Sequence, residues 1–271
     1  MKAVSFLLIG LLFSSASFSQ VAKLDSNLLW SDEFDQDGLP SALKWSFEVG
    51  DHGWGNNELQ FYKANALKNT RVQGGVLLVE AHADASLPKG YTSAKLVSKG
   101  KGAWQYGYVE VRAKLPQGRG TWPAIWMLPE ESRFGGWPKD GEIDIMEQPL
   151  IGDYQNAGSL HYSTTLGGCC DNHTTFTRYF NHTDKLANAF HTYAIAWLPG
   201  RVDFYFDGEL YGTLSKANAA TSYWPFDAPG FLIFDNTTPG NKSQMTWNKS
   251  TMLIDYVRVW QLNKVGKVWT H

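Results

Sequence analysis

The feature that most restricts the fold of this chain is a succession of short strand-like runs, spaced about ten residues apart with turn residues between them. Residues 108–114 alternate apolar and polar side chains, which is the period of a strand with one buried face. Residues 201–206 and 209–211 flank Asp207-Gly208, a dipeptide typical of a tight hairpin turn. Helical periodicity is scarce. These patterns predict an all-β fold, a sandwich or a barrel. Further strands are predicted at 76–81, 190–197, 231–234 and 252–261.

The composition is that of one large globular domain with many tryptophans. Of 271 residues, 43% are hydrophobic and 18% are charged, and the net charge is −2. Because no basic patch is visible, we expect no nucleic-acid partner. The 12 tryptophans exceed what a core needs, and flat aromatic rings pack well against the C–H faces of pyranose rings. We therefore expect a monomer that binds a neutral polysaccharide.

The first nineteen or so residues have the pattern of a secretory signal peptide. Lys2 precedes the apolar run 4–13, and the small residues Ser17 and Ser19 stand where cleavage is expected. The run is too short to span a bilayer, which takes about 20 residues, and no other stretch could do so. The sequence predicts cleavage after residue 19, a catalytic domain over 20–271, and an extracellular or periplasmic location without a membrane anchor.

Three carboxylates fall in the strand-like run 142–147, at Glu142, Asp144 and Glu147. Alternate residues of a strand share a face, so Glu142 and Asp144 point together and Glu147 has the wrong parity. One extra residue, a β-bulge near Met146, would return Glu147 to the acidic face.

A row of this kind suits the hydrolysis of a glycosidic bond with retention, which needs one carboxyl as nucleophile and another as acid/base. The alternative is a strand face that is acidic and solvated. The three tryptophans that precede the row, Trp122, Trp126 and Trp137, favour the catalytic interpretation.

These motifs resemble glycoside hydrolase family 16, and most of all its laminarinase branch, the endo-1,3-β-glucanases. Seven segments carry the resemblance: 30–34, 53–62, 91–96, 106–116, 120–129 with 142–147, 224–227 and 255–260. The resemblance implies a β-jelly-roll sandwich of two antiparallel sheets with a concave substrate cleft. It also implies catalysis without a cofactor, with Glu142 as nucleophile, Glu147 as acid/base and Asp144 tuning both.

Several residues are candidates for the sugar-binding cleft. Trp122 and Trp126 share a strand face, Trp137 lies on a loop beside the row, and His161 falls on the next predicted strand. Packing in the core is the alternative for Trp126 and His161. The resemblance adds Asn57 and Glu58, for which capping of a loop is the alternative. Where laminarinases often carry arginine, this chain has Lys95.

The resemblance also implies a structural calcium ion remote from the cleft. Asp255 matches the ligating aspartate, with Glu33 and Gly75 as donors of backbone carbonyls. Calcium accepts such oxygen-only sets. From the residues alone, Asp255 could equally be an acid of an edge strand.

The adjacent cysteines Cys169 and Cys170 are either a strained vicinal disulfide or two thiols.

Two segments depart from the laminarinase pattern, 164–183 and 231–241. Three functions therefore stay open. The first is hydrolysis of β-1,3-glucan, and the second is hydrolysis of mixed-linkage glucan or of a marine galactan such as agar or carrageenan. The third is a non-catalytic β-glucan-binding module, which the presence of both glutamates disfavours.

Overall fold

The structure is a computed structural model that describes residues 24–148, 152–166, 172–241, 245–262 and 264–269. The predicted signal peptide and the Cys169-Cys170 pair lie outside the described residues. None of the described helices is long and apolar enough to cross a membrane.

Strands dominate the described part of the chain, with a short 3-10 helix at Pro225–Asp227. In chain order the strands are β1 (Leu24–Asp32), β2 (Ser46–Phe47), β3 (Gln60–Tyr62), β4 (Thr70–Val72), β5 (Leu77–Ala83), β6 (Tyr91–Ser93), β7 (Lys95–Val97), β8 (Ala103–Gln105), β9 (Gly107–Lys114), β10 (Trp122–Pro129), β11 (Glu142–Glu147), β12 (Gln155–Ser163), β13 (His173–Asn181), β14 (His191–Leu198), β15 (Arg201–Phe206), β16 (Glu209–Ser215), β17 (Gly230–Thr237), β18 (Lys249–Leu262) and β19 (Lys267–Trp269).

Among the described residues these strands form two sheets. The ten-stranded sheet runs β16-β15-β14-β9-β18-β5-β6-β3, with β1 paired to β18 and β4 to β5. The nine-stranded sheet runs β13-β12-β11-β10-β17-β7-β2, with β8 paired to β17 and β19 to β8. All pairings are antiparallel except that of β3 with β6. The predicted sandwich of antiparallel sheets is confirmed, with that one parallel pair as the exception.

The main hydrophobic core lies between the two sheets because each strand points alternate side chains inward. In β9, Val109, Val111 and Ala113 are fully buried, whereas the charged residues between them are partly exposed. From the other sheet, Ile125 and Phe234 are also fully buried in the same cluster. Each of the valine, isoleucine and phenylalanine side chains contributes about 1.5–3 kcal/mol by leaving water. The opposite face of the nine-stranded sheet is therefore free to carry a binding site.

The hairpin of β15 and β16 forms as its sequence predicts. Asp207 and Gly208 both have positive φ, +46° and +80°. Two left-handed residues are what a type I′ turn requires, and the twist of that turn matches the twist of the strands.

The segment 231–241, which departs from the laminarinase pattern, is a strand in its first part. This strand, β17, is buried along its whole length at the middle of the nine-stranded sheet.

Candidate active site

The bulge predicted in the acidic strand is present in β11. Ala124 and Ile125 of β10 pair with Glu147 and Met146, but the next residue of β10 pairs with Asp144, so Ile145 is the extra residue. The pairing of β11 with β12 shifts at the same place. Ile145 and Met146 both point into the core and are fully buried. Two consecutive inward residues return Glu147 to the face that carries Glu142 and Asp144.

Burial dominates the electrostatics of this acidic row. It raises the pKa of Glu142 well above the ordinary range, with the Asp144 charge adding to the effect. It does the same for Asp144, where the Glu147 charge is the second cause. The pKa of Glu147 is also raised by burial, although the hydrogen bond from Trp122 opposes this. Like charges this close resist joint ionisation, so the row retains protons to a higher pH than isolated carboxyl groups would.

Neighbouring strands hold the two outer positions of the row. Trp122 Nε1 on β10 donates a hydrogen bond of 3.0 Å to Glu147 Oε1. His161 on β12 lies directly opposite Glu142, and its Nε2 lies 3.1 Å from Asp144 Oδ2. A donor beside Glu147 and an imidazole opposite Glu142 give the two ends of the row different surroundings. Such a difference is what separates a nucleophile from an acid/base.

The row forms the floor of a cleft of about 470 Å³ on the face of the nine-stranded sheet that points away from the core. The cleft brings together the predicted residues Glu58, Trp122, Trp126, Trp137, Glu142, Asp144, Glu147 and His161. Trp137 is 52% exposed at the rim. Its loop is fastened by Asp140, whose carboxylate accepts hydrogen bonds from Ser132 Oγ and from three backbone N–H groups.

Asn57 is the one predicted substrate-binding residue that does not line the cleft. Asn56, not Asn57, lines the cleft, and its Nδ2 donates to Glu58 Oε1 at 3.2 Å. Asn57 is exposed and has a left-handed backbone with φ +56°. The backbone turns at Asn57, and the side chains of Asn56 and Glu58 face the cleft instead. The substrate contact predicted for Asn57 therefore stays a prediction, and Asn56 joins it as a candidate.

Lys95 organises the end of the cleft remote from Trp137. Its ammonium lies 4.4 Å from the centre of the Trp54 ring and 4.8 Å from that of Trp126, and forms an ion pair of 2.9 Å with Glu48. A cation over two indole faces holds both rings in place. Trp126 Nε1 in turn donates to Asp235 Oδ2 at 3.1 Å. Asp235 was not predicted as a cleft residue, and Trp54 belongs to the segment 53–62 that carries the resemblance but was not singled out within it.

We expect the Asp235→Asn variant to be more stable than the wild type at pH 8 but not at pH 4. Burial raises the pKa of Asp235 to about 7, with Lys95 opposing the shift. A raised carboxyl pKa means that the folded state holds a proton that the unfolded state loses, so stability falls as pH rises from about 4 to about 7. An amide avoids that penalty. Melting temperatures of both proteins at pH 4 and pH 8 measure it, and an equal difference at both values would contradict the prediction.

Comparison with known proteins decides the family. The sequence profile of glycosyl hydrolases family 16 matches residues 54–258. The chain belongs to this family. A family 16 relative, the beta-glucanase of Rhodothermus marinus, is 40% identical over 254 residues, covering 86% of this chain and 85% of the relative. The glucan endo-1,3-beta-glucosidase of Cryptopygus antarcticus is 34% identical over 258 residues, covering 86% and 92%.

A solved family 16 structure supports the same assignment. The laminarinase from Rhodothermus marinus superposes with a TM-score of 0.79 at 38% identity, covering 87% of this chain and 97% of the other. The β-jelly-roll architecture is thus confirmed, and the chain is a glycoside hydrolase. Family 16 glycosidases need no cofactor for catalysis.

Proposed function

We propose that this protein is a secreted, monomeric, endo-acting hydrolase that cleaves β-1,3-glucan with retention of configuration. The observation that carries the proposal is the bulged row Glu142, Asp144 and Glu147 beneath a tryptophan-lined cleft. The relatives named as beta-glucanase, glucan endo-1,3-beta-glucosidase and laminarinase support the substrate class. A cleft on an open sheet face suits attack within a long chain.

The mechanism is a double displacement. Glu142 attacks the anomeric carbon, while the protonated Glu147 gives its proton to the leaving glycosidic oxygen. The resulting glycosyl ester is then hydrolysed by a water molecule that loses its proton to Glu147, which frees Glu142. Asp144 lies between them and stabilises whichever neighbour is protonated. Burial raises the pKa of Glu147, so this residue keeps its proton to a higher pH than an isolated glutamate would.

The charge of the cleft favours a neutral polymer. Five carboxylates line it, Glu58, Glu142, Asp144, Glu147 and Asp235. Lys95 is the cation among these lining residues, and its ammonium is already paired with Glu48. A sulfated galactan would bring further negative charge into this acidic environment, which Coulomb repulsion opposes.

A reducing-sugar assay over laminarin, curdlan, lichenan, agarose and carrageenan tests the substrate class. We expect the highest rate on laminarin, a lower rate on lichenan and none on carrageenan. Activity on agarose or carrageenan in the absence of activity on laminarin would overturn the assignment to β-1,3-glucan. Secretion is tested separately, by sequencing the amino terminus of the exported protein, where we expect residue 20.

The proposed calcium site is compatible with the pairing of β18. One edge of β18 pairs with β5 as far as Ile254 and with β1 from Val257 onward. Asp255 therefore lies in the gap between these two partner strands. Glu33 follows the end of β1, and Gly75 precedes the start of β5, so their carbonyls belong to segments that meet at this gap. In the structure the Asp255 carboxylate forms an ion pair with Arg112. A bound calcium ion would share or replace that partner.

We expect calcium to raise the melting temperature of the wild type and to have no effect on Asp255→Asn. Binding at a hundredfold excess over Kd stabilises the native state by about 2.7 kcal/mol. The measurement is the melting temperature of chelator-treated protein with and without millimolar calcium, with the exposed Asp84→Asn as the matched control. An unchanged wild-type melting temperature would rule out the site.

A further inference from the structure

Two carboxylates and one imidazole at the centre of the cleft have the donor set of a transition-metal site. Glu142, Asp144 and His161 each offer one ligand atom, and these atoms all lie within 4.8 Å of one another. Asp144 is only 2% exposed, and the other two are half-buried. Imidazole nitrogen and carboxylate oxygen are ligands that zinc accepts.

The contact between His161 and Asp144 is close but poorly formed as a hydrogen bond. The atoms His161 Nε2 and Asp144 Oδ2 are 3.1 Å apart. Even so, Asp144 Oδ2 is buried and accepts no well-directed hydrogen bond from the described residues. A buried carboxylate oxygen without such a bond is costly. A cation between the two atoms would satisfy both.

The separation of these atoms suits a shared metal ion. Zinc bonds of about 2.0–2.2 Å at tetrahedral angles place two ligand atoms at least about 3.3 Å apart. The observed 3.1 Å is close to that value. The Glu142 ligand atom lies within 4.8 Å of the other two, so a carboxylate shift of at most about 1.5 Å completes the set. A half-buried side chain bordering an open cleft can make that adjustment.

His161 also has the second contact that metal-binding histidines typically show. Its other ring nitrogen, Nδ1, lies 3.0 Å from His173 Nε2 and 3.1 Å from Thr175 Oγ1. Both residues are on β13, and Thr175 is directly opposite His161. A partner at Nδ1 that accepts its proton leaves Nε2 unprotonated and aimed at Asp144. This is how outer residues fix the tautomer and orientation of a ligating histidine.

We propose that Glu142, Asp144 and His161 form a binding site for a zinc-like divalent ion, oriented by His173, and that the ion competes with substrate. Imidazole favours Zn²⁺ and Cu²⁺ over the hard cations Mg²⁺ and Ca²⁺. A metal held by the carboxylates of the row would remove the nucleophile from reaction. The site is an inhibitory one, and its existence does not depend on which glucan the cleft accepts.

Isothermal titration of zinc chloride into the substrate-free full chain at pH 7 tests the proposal without any assay of activity. The background should carry Cys169→Ser and Cys170→Ser, because these cysteines are alternative zinc ligands when they are reduced. We expect zinc to bind and His161→Gln to weaken it at least tenfold. We expect His173→Phe to weaken it about 10–100-fold, the usual range for loss of an orienting partner. The exposed His52→Gln is the matched control and should not change the affinity.

Three results would overturn the proposal: undiminished zinc affinity in His161→Gln, an equal loss in His52→Gln, or equal binding of Mg²⁺. Glu142→Gln serves as a second ligand variant should His161→Gln fail to fold, and it too should bind zinc at least tenfold more weakly. Undiminished affinity in His173→Phe alone would refute the orienting role.

A separate series measures the apparent KM for laminarin at rising zinc concentrations. We expect the apparent KM to increase while kcat stays unchanged. An enzyme inactive on laminarin would still give an interpretable zinc titration, so failure of the proposed substrate and failure of the metal site are distinguishable.

Discussion

Glu142→Ser should reduce kcat on laminarin to below about 1% of the wild-type value while leaving the fold and glucan binding intact. The hydroxyl is too short to reach the anomeric carbon, and loss of a nucleophile removes an interaction made only along the reaction path. We expect the fold to be retained because Glu142 is half-buried and is the first residue of β11. Burial already disfavours its charged form, so its loss removes no stabilising charge. Initial rates and isothermal titration with a laminari-oligosaccharide measure the two effects.

Rescue of the Glu142→Ser variant by azide would distinguish loss of the nucleophile from misfolding. A small anion can occupy the space left by the carboxylate and attack from the same face, which yields a glycosyl azide of inverted, α configuration. The exposed Glu131→Ser provides a control carboxylate outside the cleft and should keep full activity. Residual kcat above about 1%, a value set by the size of nucleophile effects, would show that Glu142 is not the nucleophile.

Glu147→Ala should lower kcat on laminarin by about 10²–10⁴-fold, the usual contribution of general acid–base catalysis. Glycosyl transfer from an aryl glycoside with a good leaving group should be much less affected, because that leaving group needs no proton. The high-pH limb of the rate profile should also vanish. That limb reports loss of the acid proton, and burial places it above the ordinary range of a glutamate.

The configuration of the rescue product separates the roles of the two glutamates. In Glu147→Ala, azide would intercept the glycosyl ester on Glu142 and give a β-glycosyl azide, opposite to the product of Glu142→Ser. Equal losses on laminarin and on the aryl glycoside, together with an unchanged high-pH limb, would exclude Glu147 as the acid/base.

The acidic row could be found from sequence because it depends on local parity alone. Glu142 and Asp144 share a face, and one extra residue restores Glu147, so the bulge followed from counting along a single strand. The sheets were predictable for the same reason. Alternation in 108–114 and the Asp207-Gly208 turn are short-range patterns, and β9 and the β15–β16 hairpin match them.

The remainder of the cleft required knowledge of strand order. Asp235 reaches it because β17 pairs with β10, which sets Asp235 beside Ala124. Lys95 arrives through the pairing of β7 with β17, directly opposite Asp235. Nothing in the local sequence indicates that these distant segments are neighbours. His173 was missed for a similar reason, since its partner His161 lies on another strand.

The positions of Asn56 and Asn57 show a limit of a different kind. Both asparagines fit the segment that resembles the laminarinase cleft, but a left-handed backbone at Asn57 decides which side chain turns inward. Asparagine adopts that conformation more readily than most residues, so either position could have taken it. A resemblance in sequence identifies the segment, and only the backbone geometry identifies the residue.

The anomeric configuration of the first product tests the central claim most directly. Proton NMR of laminarin during the first minutes of hydrolysis distinguishes a newly formed β-anomer from an α-anomer before mutarotation mixes them. The double displacement through Glu142 and Glu147 predicts that the β-anomer forms first and the α-anomer follows at the rate of mutarotation. Initial release of the α-anomer would mean single displacement by water, and would contradict the assignment of Glu142 as nucleophile.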